Sequence, residues 1–209
     1  MANYDIKREL KHLYRPSKAR FSIVDVPEMR FLMVDGEGDP NTARAYQEAL
    51  EALYGVAYTI KFMLKQDPKT EDYVVPPLEG LWWVEDTSGL AEFTMLDKDA
   101  WSWTMMIVQP EWVTPAIVEE GRTEAARKKD LPGLSSLRFE PYHEGLSVQI
   151  LYIGPWADEG PTIARMHAYA EAQGYALRGQ HHEIYLSDPR RTAPEKLKTV
   201  IRQPIAQRD

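Results

Sequence analysis

Val34-Asp-Gly-Glu-Gly-Asp-Pro-Asn-Thr-Ala-Arg44 runs from an apolar stretch through a Gly/Asp/Pro loop into a helix pattern. Ile153-Gly-Pro-Trp-Ala-Asp-Glu-Gly-Pro-Thr-Ile-Ala-Arg165 does so again later in the chain. Each copy reads as strand, loop, helix and then two strands. The pair therefore predicts an α+β fold of two pseudo-symmetric strand–helix–strand–strand modules. The modules form one domain over 1–209, with 1–112 as the first module plus an N-terminal extension and 113–209 as the second. Ligand sites favour the interface between such modules.

Working outward, Ile6, Leu10 and Leu13 are spaced as a short docking helix. Phe21 to Val26 and Arg30 to Val34 read as two extended segments parted by Pro27. Gly36, Gly38 and Pro40 are expected in the turn that enters the first long helix. Asn41 or Thr42 is its expected cap. Tyr46, Leu50, Leu53, Ala57, Ile60 and Leu64 form its apolar stripe, which ends at Asp67-Pro68. Leu78 to Val84 and Trp101 to Gln109 read as strands, with Ala91 to Leu96 continuing the connection between them. Thr114-Pro115 opens a second helix that reaches about Asp130 and breaks near Gly121. Leu137 to Tyr142 and Leu146 to Ile153 are expected strands around a His143-Glu144-Gly145 turn. The third helix buries Ile163, Met166, His167 and Ala170 and stops at Gly174. His167 is expected as a hydrogen-bonded core residue. Tyr175 to Leu186 reads as one strand, Thr192 to Glu195 as a capped helical turn, and Lys198 to Pro204 as the last strand.

The chain has no cysteine, which excludes a disulfide scaffold, a thiolate nucleophile and a cysteine metal site. No apolar run approaches a membrane span, and the polar N-terminus is no secretory signal, so a cytoplasmic protein is expected. The net charge of −7 argues against nucleic-acid binding and favours a cation if the ligand is charged. Adjacent His181 and His182 point to opposite faces of a strand, so no metal and no cofactor are expected.

Six tryptophans and eleven tyrosines are the unusual feature, because an indole N–H needs a partner when buried. Four of the tryptophans pair as Trp82-Trp83 and Trp101/Trp103. On the second of these strands Trp101, Trp103, Met105 and Ile107 share one face, while Ser102, Thr104, Met106 and Val108 share the other. Both faces are fairly apolar, which predicts helices on one side of the sheet and an apolar cavity on the other. In His181-His-Glu-Ile-Tyr-Leu-Ser-Asp-Pro-Arg190, alternation sets Glu183 and Tyr185 opposite Ile184 and Leu186. If Ile184 and Leu186 face helices, Glu183 and Tyr185 face the cavity. Ionised, Glu183 attracts a flat cation stacked on the rings; with a raised pKa it serves as acid or base. Tyr54 and Tyr58, four residues apart on the first helix, are placed to edge a pocket or simply to pack.

Four stretches, Val34 to Asn41, Pro77-Leu-Glu-Gly-Leu-Trp-Trp83, Trp101-x-Trp-x-Met-Met-Ile-x-Gln-Pro110 and His181 to Arg190, resemble the GyrI-like family. That family is related to the effector-binding domains of MerR- and AraC-type multidrug regulators. The resemblance covers nearly the whole chain and implies a stand-alone small-molecule binder without a DNA-binding module. It implies a cavity between the two modules, lined by aromatics, with Glu183 as the acidic residue and Tyr185 beside it. It also implies two activities: sequestration or sensing of flat lipophilic cations, or hydrolysis of cyclopropanoid DNA alkylators with Glu183, aided by Tyr185, activating water. The expected ligand-contacting residues are Glu183, Tyr185, Trp82, Trp83, Trp101, Trp103, Trp112, Tyr152, Trp156 and Tyr54. Strand alternation leaves open which member of each tryptophan pair turns inward.

Overall fold

A computed structural model describes residues 3–68, 70–84 and 98–208. The expected segment Ala91 to Leu96 lies outside the described residues. Among the described residues there are seven strands: β1 Ser22–Glu37, β2 Leu78–Trp83, β3 Ser102–Gln109, β4 Arg138–Ile153, β5 Tyr175–Leu177, β6 His181–Tyr185 and β7 Lys198–Gln207. Five α-helices join them: α1 Ile6–Glu9, α2 Lys11–Tyr14, α3 Arg44–Gln66, α4 Pro115–Lys128 and α5 Gly160–Ala172. The strand–helix–strand–strand order is β1-α3-β2-β3 and then β4-α5-β6-β7, with short β5 added before β6. All pairings are antiparallel, and β1-β3-β2-β6-β7-β4 returns to β1, so six strands close into a barrel. Strand β5 continues the sheet along the end of β7.

The two long strands correct the sequence reading, which broke each in two. Pro27 lies inside β1 and Pro141 inside β4. At those points each strand pairs only with the other, so the missing N–H leaves no ladder bond unmade. His143 to Gly145 is a bend within β4, made possible by the left-handed Gly145 (φ 69°). Conversely, Tyr175 to Leu186 is two strands, parted at Gly179 (φ 60°). Gly36 is not a turn residue. It is paired with Trp103 inside β1, and a Cβ there would stand 2.2 Å from the Trp103 ring. Gly38 (φ 95°) makes the turn.

Helix α3 is capped by Ala43 without a side-chain bond, because Asn41 is occupied by Asp39 in the preceding turn. Thr114 does cap α4 as expected. That helix runs unbroken through Gly121, whose missing side chain lets Ile60 of α3 close in. The N-terminal helix is two single turns, parted at Leu10, with Ile6 and Leu13 buried. The short turn at Pro194–Lys196 forms without a capping side chain. Two short basic runs, Arg127-Lys128-Lys129 and Arg190-Arg191, pair with acids at the surface: Arg127 with Glu124, Lys129 with Glu51, and Arg190 and Arg191 with Asp188.

Outer strand positions build two cores. Leu32, Val34, Trp103, Met105 and Ile107 pack with α3 and α4. Val148, Ile150, Ile201 and Ile205 pack under Ile163, Met166 and Ala170 of α5. Inner positions Phe31, Met33, Leu81, Met106, Val108, Ile184 and Val200 fill the barrel, closed off by Ile6, Leu13 and Tyr14 of the N-terminal turns.

The same interior holds a fully buried ionic network. His182 bridges Glu79 (3.0 Å) and Glu144 (3.0 Å), Arg202 holds Glu144 (3.0 Å), and Tyr14 donates to Glu79 (2.8 Å). Arg202 and Gln149 also bond the backbone carbonyls of Leu13 and His12, tying the N-terminal turns to the barrel. Burial disfavours a charged His182, but Glu144 and Glu79 outweigh it and push its pKa up to about 9. Burial likewise opposes a charged Glu144, yet His182 and Arg202 hold its carboxyl down to about 2. Two anions thus meet two cations.

Stability from His182 is complete below its ordinary 6.5 and is lost as pH rises through about 9. Stability from Glu144 is complete above its ordinary 4.5 and is lost as pH falls toward about 2. His182→Gln strands two buried carboxylates with one arginine, so chemical denaturation should show a loss of about 3–5 kcal/mol. The variant should also lack the wild-type decline between pH 6.5 and about 9. Gly36→Ala forces Trp103 aside and should cost about 1–3 kcal/mol by the same measurement.

Candidate functional site

Strand β6 turns His181, Glu183 and Tyr185 outward, because His182 and Ile184 occupy the barrel interior. The outward face of β2 beside it carries Trp82 and Gly80, with Gly80 opposite Glu183. Across the other edge, β7 places Thr199 opposite Tyr185. The site face is thus the one that carries α3 and α5, not a helix-free face as the sequence suggested. The opposite face is the filled barrel interior.

Tyr185 donates to Glu183 Oε2 (2.8 Å) and accepts from Trp82 Nε1 (3.0 Å). His181 Nε2 lies 3.3 Å from Glu183 Oε1, so an ionised Glu183 requires the His181 Nε2–H tautomer. Glu183 is 13% exposed, while His181 is buried. Rings surround this cluster. Tyr46, from the first turn of α3, lies 6.1 Å from Trp82 and 5.2 Å from Trp103. Trp101 meets Trp82 edge-on at 5.6 Å, and Lys98 sits over Trp101. Trp156, 43% exposed, meets Tyr185 edge-on at 5.6 Å and donates to Thr199 Oγ1 (3.1 Å).

The residue that sequence reasoning missed is Glu159. It occupies the N-cap position of α5 but makes no capping bond, and it is buried. Its carboxyl contacts Glu183 and Thr199. Burial, and then the charge of Glu183, push its pKa up to about 10. Glu183 goes the other way. Burial opposes its charge, but bonds from His181, Tyr185 and Glu159 outweigh it and lower the pKa. Two touching carboxyls out of water cannot both ionise. They hold one proton, and it resides on Glu159, which has fewer donors to stabilise a charge. The raised basicity expected of Glu183 is therefore not found; the raised carboxyl is its neighbour. Tyr185 and Tyr46 are both pushed up by burial and by the nearby Glu183 charge, so they stay protonated donors.

The expected site residues divide. Glu183, Tyr185, Trp82 and Trp156 are brought together, with Trp101 against Trp82. Tyr152 is adjacent, its hydroxyl donating to the Pro155 carbonyl (3.0 Å). Trp103 is fully buried behind Tyr46. Trp83 turns to the barrel interior, as alternation with Trp82 requires. Trp112 packs on Tyr4 and Tyr73, near the N-terminus. Tyr54 stacks on Tyr58 in an aromatic row along α3 that ends at Phe62. His167 is buried, but neither ring nitrogen has a hydrogen-bond partner among the described residues. Burial and the facing His181 hold its pKa near 4, so it is neutral. Among the described residues no group of three or more His, Asp or Glu could hold a metal ion, and no helix is long and apolar enough to cross a membrane.

Glu159 weakens the fold in a pH-dependent way. With its folded pKa raised from 4.5 to about 10, the chain is penalised progressively as pH climbs between those values. Glu159→Gln should raise Tm above neutral pH, by roughly 2–4 °C per kcal/mol recovered. The gain should vanish near pH 4.5, which scanning calorimetry at two pH values would reveal.

Two solved structures from Listeria innocua superpose over 98% of this chain and 100% of their own. One, an uncharacterised conserved protein, is 41% identical with a TM-score of 0.88. The other, described as a hydrolase, is 40% identical with a TM-score of 0.85. The C-terminal domain of EcmrR shares the fold at 10% identity, with a TM-score of 0.54 and coverage of 90% of this chain and 98% of that one. Among curated proteins none matches. Residues 20–206 match the model of the GyrI-like small molecule binding domain, and the chain belongs to that family.

Proposed function

We propose that the protein binds small, flat, lipophilic aromatic molecules against the Glu159–Glu183 pair and hydrolyses those that carry a strained, electrophilic ring. The observation that carries this reading is a buried pair of carboxyls, Glu183 held by His181 and Tyr185 and Glu159 with no donor on Oε1, beside Trp82, Trp156 and Tyr46. Environments that drive paired carboxyls apart in pKa divide proton-holding from proton-accepting work. The hydrolase among the 40%-identical Listeria structures supports the same direction. The resemblance of the four motifs points to cyclopropanoid alkylating agents as the substrate class.

In the proposed reaction the rings hold the substrate flat against Glu183. Glu183 takes a proton from a bound water as its oxygen adds to the strained ring carbon. The C–C bond of that ring breaks, and its electron pair moves into the conjugated carbonyl, which takes a proton from solvent and becomes a phenol. Glu183 then releases its proton to solvent. Tyr185 and His181 aim the carboxylate, and Glu159 stays neutral, so the site carries one negative charge throughout the approach. That charge beside aromatic faces also favours a second reading, sequestration of flat cations, for ligands with no strained ring to open.

Glu183→Gln should lower turnover of a cyclopropanoid compound, followed by mass spectrometry, by about 10²–10⁴-fold. Binding of the same neutral compound, read by tryptophan quenching, should persist. Wild-type turnover in the variant would rule the reading out. Because Glu183 must be ionised and its pKa lies below 4.5, the rate should stay level down to that pH and fall under it. It should change again only as Glu159 titrates toward about 10.

A further inference from the structure

The two carboxyls of the site are unequally satisfied. Glu183 has a partner on each oxygen, Tyr185 on Oε2 at 2.8 Å and His181 on Oε1 at 3.3 Å. Glu159, 2% exposed, meets Glu183 and the Thr199 hydroxyl. That hydroxyl accepts from Trp156 Nε1 (3.1 Å). Glu159 Oε1 has no hydrogen-bond partner among the described residues. An acceptor held out of water without a donor is costly, so such a group in a binding site calls for a donor from the ligand. Among the described residues the ion-pair partner of Glu183 is His181, and no lysine or arginine pairs with either carboxyl. The titratable groups around the pair are His181 and Tyr185 of β6, Tyr46 of α3 and Tyr152 of β4.

A cation arriving here finds a pair that can change its own charge. With the shared proton in place the pair carries one negative charge. Without it the pair carries two, which a ligand cation beside Glu159 would stabilise in place of the proton. A cation with an N–H can do both things the site lacks: donate to Glu159 Oε1 and supply the positive charge. A quaternary cation can do only the second, at longer range.

We propose that the site selects planar aromatic cations bearing N–H donors, of the aminoacridinium or aromatic amidinium kind, which bond Glu159 Oε1 and displace the proton shared with Glu183. The proposal rests on the reading that a flat ligand seats against Glu183, and not on turnover. It makes Glu159 the residue that determines ligand class, and binding a proton-releasing event.

The test is titration calorimetry near neutral pH with proflavine, which has N–H donors, and N-methylacridinium, which has none. Each is run in phosphate and in Tris, whose different ionisation enthalpies count the protons exchanged. Proflavine is expected to release about one proton and to bind at least about tenfold more tightly, the weight of one charge-assisted hydrogen bond. N-methylacridinium is expected to release none. In Glu159→Gln the proton release and the preference should both disappear while both dyes still bind. Equal affinities without proton release in the wild type overturn the proposal, as does a preference that survives in Glu159→Gln. If neither dye binds, or if Glu183→Gln binds both as the wild type does, the seating against Glu183 is wrong and the inference falls with it.

Discussion

A β-strand has two faces, and on β6 both of them carry charge. The period of two sends His182 into the barrel and Glu183 out of it. The inward residue completes an interior network with Glu79, Glu144 and Arg202 that is neutral only when the histidine is protonated. The outward residue completes the site. Five residues of backbone thus serve a core and the candidate site at once, and neither can shift register without inverting both. The N-terminal turns that close off the barrel are part of this arrangement, since the Tyr14 hydroxyl and the carbonyls of Leu13 and His12 bond Glu79, Arg202 and Gln149.

The outer face is organised by the duplication. β1 and β4 are both sixteen residues long and pair with each other, each leads into a helix, and β2 and β6 meet at the seam. The start of α3 delivers Tyr46 to the seam and the start of α5 delivers Glu159. The two halves contribute differently: one supplies most of the aromatic wall, the other the acids. A site of this kind costs the fold something. Glu159 is a poor cap, is buried protonated and leaves one oxygen without a donor.

Much of this was legible in the sequence, because the signals involved are local. Alternation in His181 to Leu186 put Glu183 and Tyr185 on one face, and the repeated loop-to-helix pattern gave the modules. What was misread came from tertiary context. Pro27, Pro141 and Gly145 look like breaks, yet lie where the strands have one neighbour. Gly36 looks like a turn, yet makes room for the Trp103 ring. The tryptophan pairs could not be sorted until Trp82 was seen to bond Tyr185 and Trp83 to face the interior. Glu159 left one usable trace: a glutamate where a helix would normally begin with Ser, Thr, Asp or Asn. An acid in a capping position that caps nothing is available for other chemistry.

The central claim is that Glu159 and Glu183 hold one proton between them at neutral pH, and that Glu159 holds it. Carbon-13 NMR of the glutamate side-chain carboxyls, recorded across neutral pH on wild type and Glu159→Gln, measures this directly. The account predicts one glutamate carboxyl that stays at the protonated shift until the pH nears about 10, and that is missing from the variant. Two carboxyls that both ionise near the ordinary 4.5, or a protonated signal that persists in Glu159→Gln, would contradict it.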